Sequence, residues 1–295
     1  VSLRAAAARQ LLQRARPDAS VPLAEQRARM ERTRLPRPSK VAYVESELGG
    51  VPALEVVPDG AEARCAVLHL HGGGYVMGSA RTHAGFAGRL ARATRARTWV
   101  IDYRLAPEHP HPAALDDALA AIRALVERHG ASRIALVGDS AGGGLALAAL
   151  VAQRDAGEPL PAAAALLSPW VDLTLSRPSI ERLAAVDPLL TPDWLRDAAD
   201  KYAGEHDPAA PSLSPINADL AGLPPLLVLV GDREIFYDED RELVERATAA
   251  GTHARLAVGA GMWHVWPLFA PLVPEATAAV RDIAAFVSQH LGTDR

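Results

Sequence analysis

The chain has 295 residues, and its 31 Lys and Arg nearly balance its 35 Asp and Glu, so there is no global basic field to attract nucleic acid and no acidic tail. A hydrophobic content of 49% suffices for a large core, and a single cysteine, Cys65, excludes both an intramolecular disulfide framework and a cysteine-based metal site. The longest apolar runs, 145–152 and 226–230, are too short to span a bilayer, and arginines interrupt the N-terminal alanines, so a cytoplasmic protein without stable membrane insertion is expected.

In chain order, residues 3–16 and 22–34 read as two Ala-, Arg- and Leu-rich helices, parted by Pro17 and Pro22 and stopped by Pro36 and Pro38. With Glu25 and Glu31 interspersed, their arginines suit solvated amphipathic helices better than membrane-surface or nucleic-acid-binding ones. Strands are expected at 41–45 and 53–57, with Gly49-Gly50 as the turn. Six further strands, near 66–70, 98–101, 133–137, 163–167, 226–230 and 254–258, alternate with helices near 82–94, 112–129, 141–156 and 238–250, and a helix over 274–290 closes the chain. Cys65 opens one of these strands and reads as a small packing residue. Apolar strands without alternation, joined by helical crossovers, predict an α/β fold: a mostly parallel sheet of eight strands with helices on both faces. Residues 173–220 break the rhythm, with several prolines and one amphipathic segment at 192–202. An insertion of this length is usually a lid or binding element. It and residues 1–40 are therefore expected to form a helical cap on a core made of 41–172 and 221–295.

Two motifs carry chemistry. Gly138-Asp139-Ser140-Ala141-Gly142 fits G-x-S-x-G, with an apolar strand leading in and an Ala/Leu/Gly-rich helix leading out. That context makes it a nucleophile elbow, in which a strained turn lifts the serine hydroxyl above the sheet edge. Alone, the pattern recurs by chance in glycine-rich strand-to-helix turns. His71-Gly72-Gly73-Gly74-Tyr75 follows a second buried-strand pattern, as the H-G-G-G loop that supplies oxyanion donors does. Glycine suits that task because main-chain amides must come within about 3 Å of the oxyanion. Alone, the glycines could equally be a flexible loop or a phosphate cradle, but no Lys-Ser/Thr pair follows. Both motifs, each after a strand and in hydrolase order, argue against coincidence.

These motifs are joined by Asp102-Tyr103-Arg104-Leu105-Ala106-Pro107-Glu108, His111-Pro112-Ala113-Ala114-Leu115-Asp116-Asp117, Ser168-Pro169-Trp170, Leu223-Pro224-Pro225 and Gly261-Met262-Trp263-His264. As a set, from about Val67 to the C-terminal helix, the chain resembles the hormone-sensitive-lipase-like carboxylesterases, bacterial esterase family IV. The resemblance implies an α/β-hydrolase fold with a helical cap.

In such hydrolases the histidine comes last in chain order. Of ten histidines only His253, His264 and His290 lie late enough. His253 opens a strand and His290 ends a helix, whereas His264 lies in a loop after the final strand, where it could reach Ser140. For the acid, the residues themselves permit either Asp232 or Glu234. Laid on the family pattern, Glu234 falls at the acid position, thirty residues before His264, and Asp232 two residues early. Matching the two motifs to the family implies oxyanion donors at the N–H groups of Gly73, Gly74 and Ala141. His71 is expected to shape the loop and Asp139 to be structural. Asp102, Tyr103, Arg104 and Glu108 are expected to tie the oxyanion loop to the elbow. Trp170, Met77, Trp263, Trp266 and Phe269 could line an apolar pocket, with Met77 and Trp263 preferred because they flank the catalytic loops.

The reading is a serine carboxylesterase that hydrolyses short- to medium-chain esters through an acyl-enzyme. It needs no metal or organic cofactor, and its partner is a small-molecule ester rather than nucleic acid. A deacetylase or lactone hydrolase dedicated to one metabolite would use the same machinery. A non-catalytic small-ligand receptor of this fold is a different class, but such receptors tend to replace the histidine. A peptidase is not expected, because the α/β-hydrolase peptidases carry an extra propeller-like domain for which these residues show no pattern. The resemblance leaves open a homodimer through the last strand and helix.

Overall fold

A computed structural model of the chain describes every residue except 15, 17, 18, 34 and 293–295, with residues 62 and 63 described by backbone alone. Pro17, expected to help part the first two helices, lies outside the described residues. The strands are β1 (Val41–Leu48), β2 (Val51–Pro58), β3 (Glu62–Leu70), β4 (Ala96–Ile101), β5 (Ile134–Asp139), β6 (Ala163–Leu167), β7 (Leu226–Gly231) and β8 (Ala254–Gly259). They form one eight-stranded sheet in the order β1-β2-β4-β3-β5-β6-β7-β8. β1 pairs antiparallel with β2, and β2 antiparallel with β4, while every other pairing is parallel. β1 and β2 run further than expected, because Gly49 and Gly50, both at positive φ, turn the chain within two residues.

The helices are α1 (Leu3–Gln13), α2 (Leu23–Arg32), α3 (Ala80–Thr94), α4 (Ala113–His129), α5 (Ala141–Asp155), α6 (Ser179–Arg182), α7 (Pro192–Ala203), α8 (Tyr237–Ala249) and α9 (Pro274–Leu291). Strand periodicity explains why the central strands are apolar throughout. Val67, Ala135, Val137, Ala165, Leu167, Leu227 and Leu229 point into the layer under α3 and α9. Their chain neighbours Leu68, Leu136, Leu166 and Val228 point into the layer that holds residues of α4, α5 and α8. Among the described residues no helix is long and apolar enough to cross a membrane.

Residues 173–220 carry α6, which the sequence pattern did not announce, and α7. Thr191 caps α7 by accepting the Trp194 N–H, and Pro192 opens it. Its buried face holds Trp194, Leu195, Ala198 and Tyr202, and Tyr202 stacks on Tyr75 of the glycine loop at 3.7 Å between ring centres. The two N-terminal helices part company. α2 reaches the insertion, where Trp194 Nε1 donates to Gln26 Oε1 at 2.8 Å. α1 lies against α9, with Ser2 Oγ donating to Glu275 at 2.8 Å and Ala5 buried in the α9 layer. It thus departs from the expectation that both helices join the cap.

Candidate active site

In a parallel sheet the loops leaving the carboxyl ends of adjacent strands share one edge, and those after β3, β5, β6, β7 and β8 meet here. β5 ends at Asp139 and α5 begins at Ala141, which leaves Ser140 alone in the turn at φ 55°, ψ −124°. A non-glycine residue in that region costs about 1–3 kcal/mol, so the surroundings must hold it there. They do so from both sides: the Ser140 N–H donates to the Leu167 carbonyl at 2.8 Å, and its carbonyl accepts from the Trp170 N–H at 2.9 Å. The flanking glycines are required by contact. A Cβ on Gly142 would sit 2.0 Å from the Leu70 carbonyl oxygen, and one on Gly138 2.3 Å from that of Gly142.

The loop after β8 brings His264 over the elbow. Its Nε2 lies 2.9 Å from Ser140 Oγ and its Nδ1 3.0 Å from Glu234 Oε2. With Nδ1–H given to the carboxylate, Nε2 is left to accept the serine proton. Glu234 follows β7, and its other oxygen accepts the Gly231 N–H at 2.7 Å. Burial pushes the Glu234 carboxyl up from its ordinary range, against the pull of His264 and the Gly231 N–H. Asp232, the other acid candidate, turns outward, and its Oδ1 accepts the Gly261 N–H at 2.7 Å, pinning the loop that carries His264. Ser168 accepts the Val265 N–H at 3.0 Å and fixes the same loop from the β6 side. The edge of His264 meets the Phe236 ring at 5.2 Å, and Phe236 stacks on Trp170.

The glycine loop leaves β3, the neighbour of β5. Gly73 at φ 128° and Gly74 at φ 62° turn the loop, and no acceptor among the described residues pairs with the N–H groups of Gly73, Gly74 or Ala141. Tyr103 donates its hydroxyl to the His71 carbonyl at 2.7 Å, and the His71 ring bonds the Gly72 carbonyl through Nδ1 at 2.9 Å. Burial first, then the nearby His83, pushes the His71 ring down to about 3, so it is neutral near pH 7. Asp139 faces away from His264, toward His69, His83 and the Gly72 N–H.

Other expected contacts are rearranged. Of the four side chains expected to tie the loops together, only that of Tyr103 bonds the glycine loop, although the Ala106 N–H of the same block donates to the Tyr75 carbonyl at 2.9 Å. Asp102 accepts the Ala80 N–H at the start of α3, Arg104 pairs with Asp117 on α4, and Glu108 forms a two-pronged pair with Arg27 on α2. Trp263 is not a pocket wall. Its indole is fully buried in the layer under α3 and α9, edge-on to Phe269, because it points to the opposite side of the loop from His264. Met77 is 8% exposed, and its N–H donates to the Gly73 carbonyl at 3.0 Å. Ser168, His69, His83 and Asp187 escaped the sequence reading. Of these only Ser168 had a signal, lying within Ser168-Pro169-Trp170.

Behind Glu234 lie further buried carboxyls. Asp187 accepts the N–H groups of Leu189, Leu190 and Ile235. Asp240 is fully buried, and among the described residues neither of its oxygens has a hydrogen-bond partner. Burial, then Glu239 and Glu234, push its carboxyl well above the usual range. Between the unfolded and folded pKa values the folded chain holds the extra proton, so this residue's contribution to stability falls as pH rises. Asp240→Asn removes that term. Thermal unfolding at pH 4 and pH 8 is expected to show a gain of roughly 1–2 kcal/mol at pH 8 and a smaller change at pH 4; an equal shift at both would contradict a protonated Asp240.

Comparison with known proteins places the fold in a family. The α/β-hydrolase-fold family profile matches residues 67–268. An acetyl-hydrolase of Streptomyces hygroscopicus is 43% identical over 227 residues, 77% of this chain and 76% of that protein. The crystal structure of a hormone-sensitive lipase from a metagenome library superposes with a TM-score of 0.94 at 41% identity, over 97% of this chain and 98% of that one. EstE5, whose crystal was soaked with p-nitrophenyl butyrate, superposes at 0.95 with 37% identity, over 99% of this chain and 100% of that one. The chain belongs to the hormone-sensitive-lipase-like family of α/β-hydrolases and is a carboxylic ester hydrolase.

Proposed function

We propose that Ser140, His264 and Glu234 form the catalytic triad of a serine carboxylesterase acting on short- to medium-chain esters. The observation that carries the reading is the 2.9 Å contact from His264 Nε2 to Ser140 Oγ, continued at 3.0 Å to Glu234. His264 takes the hydroxyl proton as Ser140 Oγ bonds to the ester carbonyl carbon. The oxyanion that forms is held by the N–H groups of Gly73, Gly74 and Ala141, each worth roughly 3–4 kcal/mol when well aimed. His264 passes the proton to the alkoxide as the C–O bond breaks and the alcohol leaves. Water, deprotonated by His264, then opens the acyl-enzyme by the same path. Glu234 keeps the imidazole in the productive tautomer and stabilises its charged form. Residues 173–220 and α2 are the cap over this edge, and Met77 is retained as a wall of the acyl pocket.

A short acyl chain is supported by the relative named an acetyl-hydrolase and by the p-nitrophenyl butyrate soak of EstE5. The first of these also favours a second reading, a deacetylase for a particular metabolite. A panel of p-nitrophenyl esters beside acetylated metabolites separates the two by kcat/KM. A receptor of this fold is disfavoured by the intact histidine. The direct test is covalent capture: a fluorophosphonate is expected to add its phosphonyl group to Ser140 in one-to-one ratio, read by peptide mass, and to abolish a pre-steady-state burst of p-nitrophenol. Labelling elsewhere with activity intact would overturn the assignment.

A further inference from the structure

We propose that Asp139, His69 and His83 form a buried positioning assembly that grips the glycine loop by the Gly72 N–H and thereby aims the Gly73 and Gly74 donors at the reacting oxygen; this rests on the oxyanion role proposed above. Asp139 sits beside Ser140 in the chain yet takes no part in the His264 contacts. Its Oδ1 lies 2.8 Å from His69 Nε2, and its Oδ2 receives the Gly72 N–H at 3.1 Å and lies 3.3 Å from His83 Nε2. All three side chains are at most 4% exposed.

The protonation states follow from the partners. His83 Nδ1 faces the Ser79 carbonyl at 3.2 Å and Thr82 Oγ1 at 2.9 Å, and that hydroxyl donates its own proton to Ser79. With the Thr82 hydroxyl proton committed to the Ser79 carbonyl, both neighbours of Nδ1 accept, and Nε2 faces a carboxylate, an arrangement that favours His83 donating from both nitrogens as an imidazolium. His69 donates from Nε2, its Nδ1 has no partner among the described residues, and burial lowers its pKa, which favours the neutral ring. Burial by itself would lower the His83 pKa, but the charge and hydrogen bond of Asp139 raise it. Asp139, which burial would raise, is in turn held far below the carboxylate range by His83 and His69. The result is one buried ion pair with a second histidine on its free oxygen. Leaving either charge unpaired there is costly, so the pair holds its geometry.

That geometry reaches the site through Gly72. The carboxylate presses so close that a Cβ on Gly72 would lie 2.4 Å from Asp139 Oδ2. The next two residues, at φ 128° and 62°, are conformationally permissive glycines, and their direction depends on the peptide that precedes them. A merely stabilising pair would change the melting temperature and leave transition-state binding alone. A positioning one would change kcat and leave KM.

The experiment compares Asp139→Asn, His83→Phe and His83→Gln on p-nitrophenyl butyrate, with a butyl boronic acid as a tetrahedral probe whose Ser140 adduct sets an oxygen among the same donors. In Asp139→Asn and His83→Phe, kcat and boronate affinity are expected to fall together by about 10- to 100-fold, with KM within about twofold. His83→Gln, which keeps a donor for Asp139, is expected to recover most of the loss. The acid limb of kcat/KM should stay in place, because His264 and Glu234 are untouched. The inference is overturned if folded variants keep kcat and boronate affinity within about threefold of the parent, or if the acid limb moves, which would put the defect at His264. Should Asp139→Asn fail to fold, the two His83 variants decide. Failure of the underlying oxyanion reading is distinguishable, since it would appear as kcat and boronate affinity surviving within about threefold in Gly74→Ala, whose Cβ would meet Trp194 at 2.6 Å and shift that donor.

Discussion

Ser140→Ala is expected to lower kcat for p-nitrophenyl butyrate by about 10⁶-fold while the protein stays folded. The substitution removes one oxygen and keeps the Cβ, so the backbone at φ 55° meets no new steric demand. Its amide and carbonyl bonds to Leu167 and Trp170 are untouched. Only His264 Nε2 loses a partner. What remains is the nest of main-chain donors and the binding surface, which in serine hydrolases sustains a residual of about 10³–10⁴ over the uncatalysed rate. Steady-state turnover and circular dichroism on the same preparation check both halves. Turnover within tenfold of the parent, in protein purified free of host esterase, would refute the nucleophile.

How much of this was legible in the sequence differs by residue. The strands of the central sheet were readable because both their faces are buried, so apolar residues run without interruption from Ile134 to Val137 and from Leu226 to Val230. Ser140 and the glycines were readable because close main-chain approach admits only one residue type, and the approach distances at Gly138 and Gly142 bear that out. His264 was readable from chain order together with its place in a loop after the final strand, since His253 and His290 also lie late enough. Glu234 was reached only through the family pattern: either carboxylate satisfies the chemistry, and a loop between β7 and α8 carries no periodicity to say which one points inward.

The misses have a common physical cause. Trp263 and His264 are adjacent, yet in an irregular loop adjacency says nothing about direction, and one ring faces Ser140 while the other enters the α9 layer. His69 and His83 lie in a strand and a helix whose patterns read as packing, and their shared partner Asp139 is distant from both in sequence. Glu108 and Arg27 are joined across 81 residues, which no local signal announces. Side chains that act through long-range contacts are invisible to periodicity, whereas backbone requirements are written locally as glycine.

The acid assignment leads to the second large effect. Glu234→Gln is expected to lower kcat by about 10⁴-fold with little change in KM. Glu234 Oε1 accepts the Gly231 N–H at 2.7 Å, so in the variant the single amide oxygen is claimed by that donor. The NH₂ is then forced toward His264 Nδ1, 3.0 Å from the other position, where it must donate. Nδ1 becomes an acceptor, the proton moves to Nε2, and the imidazole offers Ser140 a hydrogen when it should take one. Raising the pH cannot restore the lost tautomer, so the deficit should persist across the whole profile. Asp232→Asn provides the contrast. The oxygen that accepts the Gly261 N–H survives in asparagine, the His264 loop stays pinned, and turnover is expected within about threefold of the parent. If the two variants exchange these outcomes, the carboxylate that orients His264 is Asp232, and the loop after β7 must rearrange in the working enzyme to bring it inward.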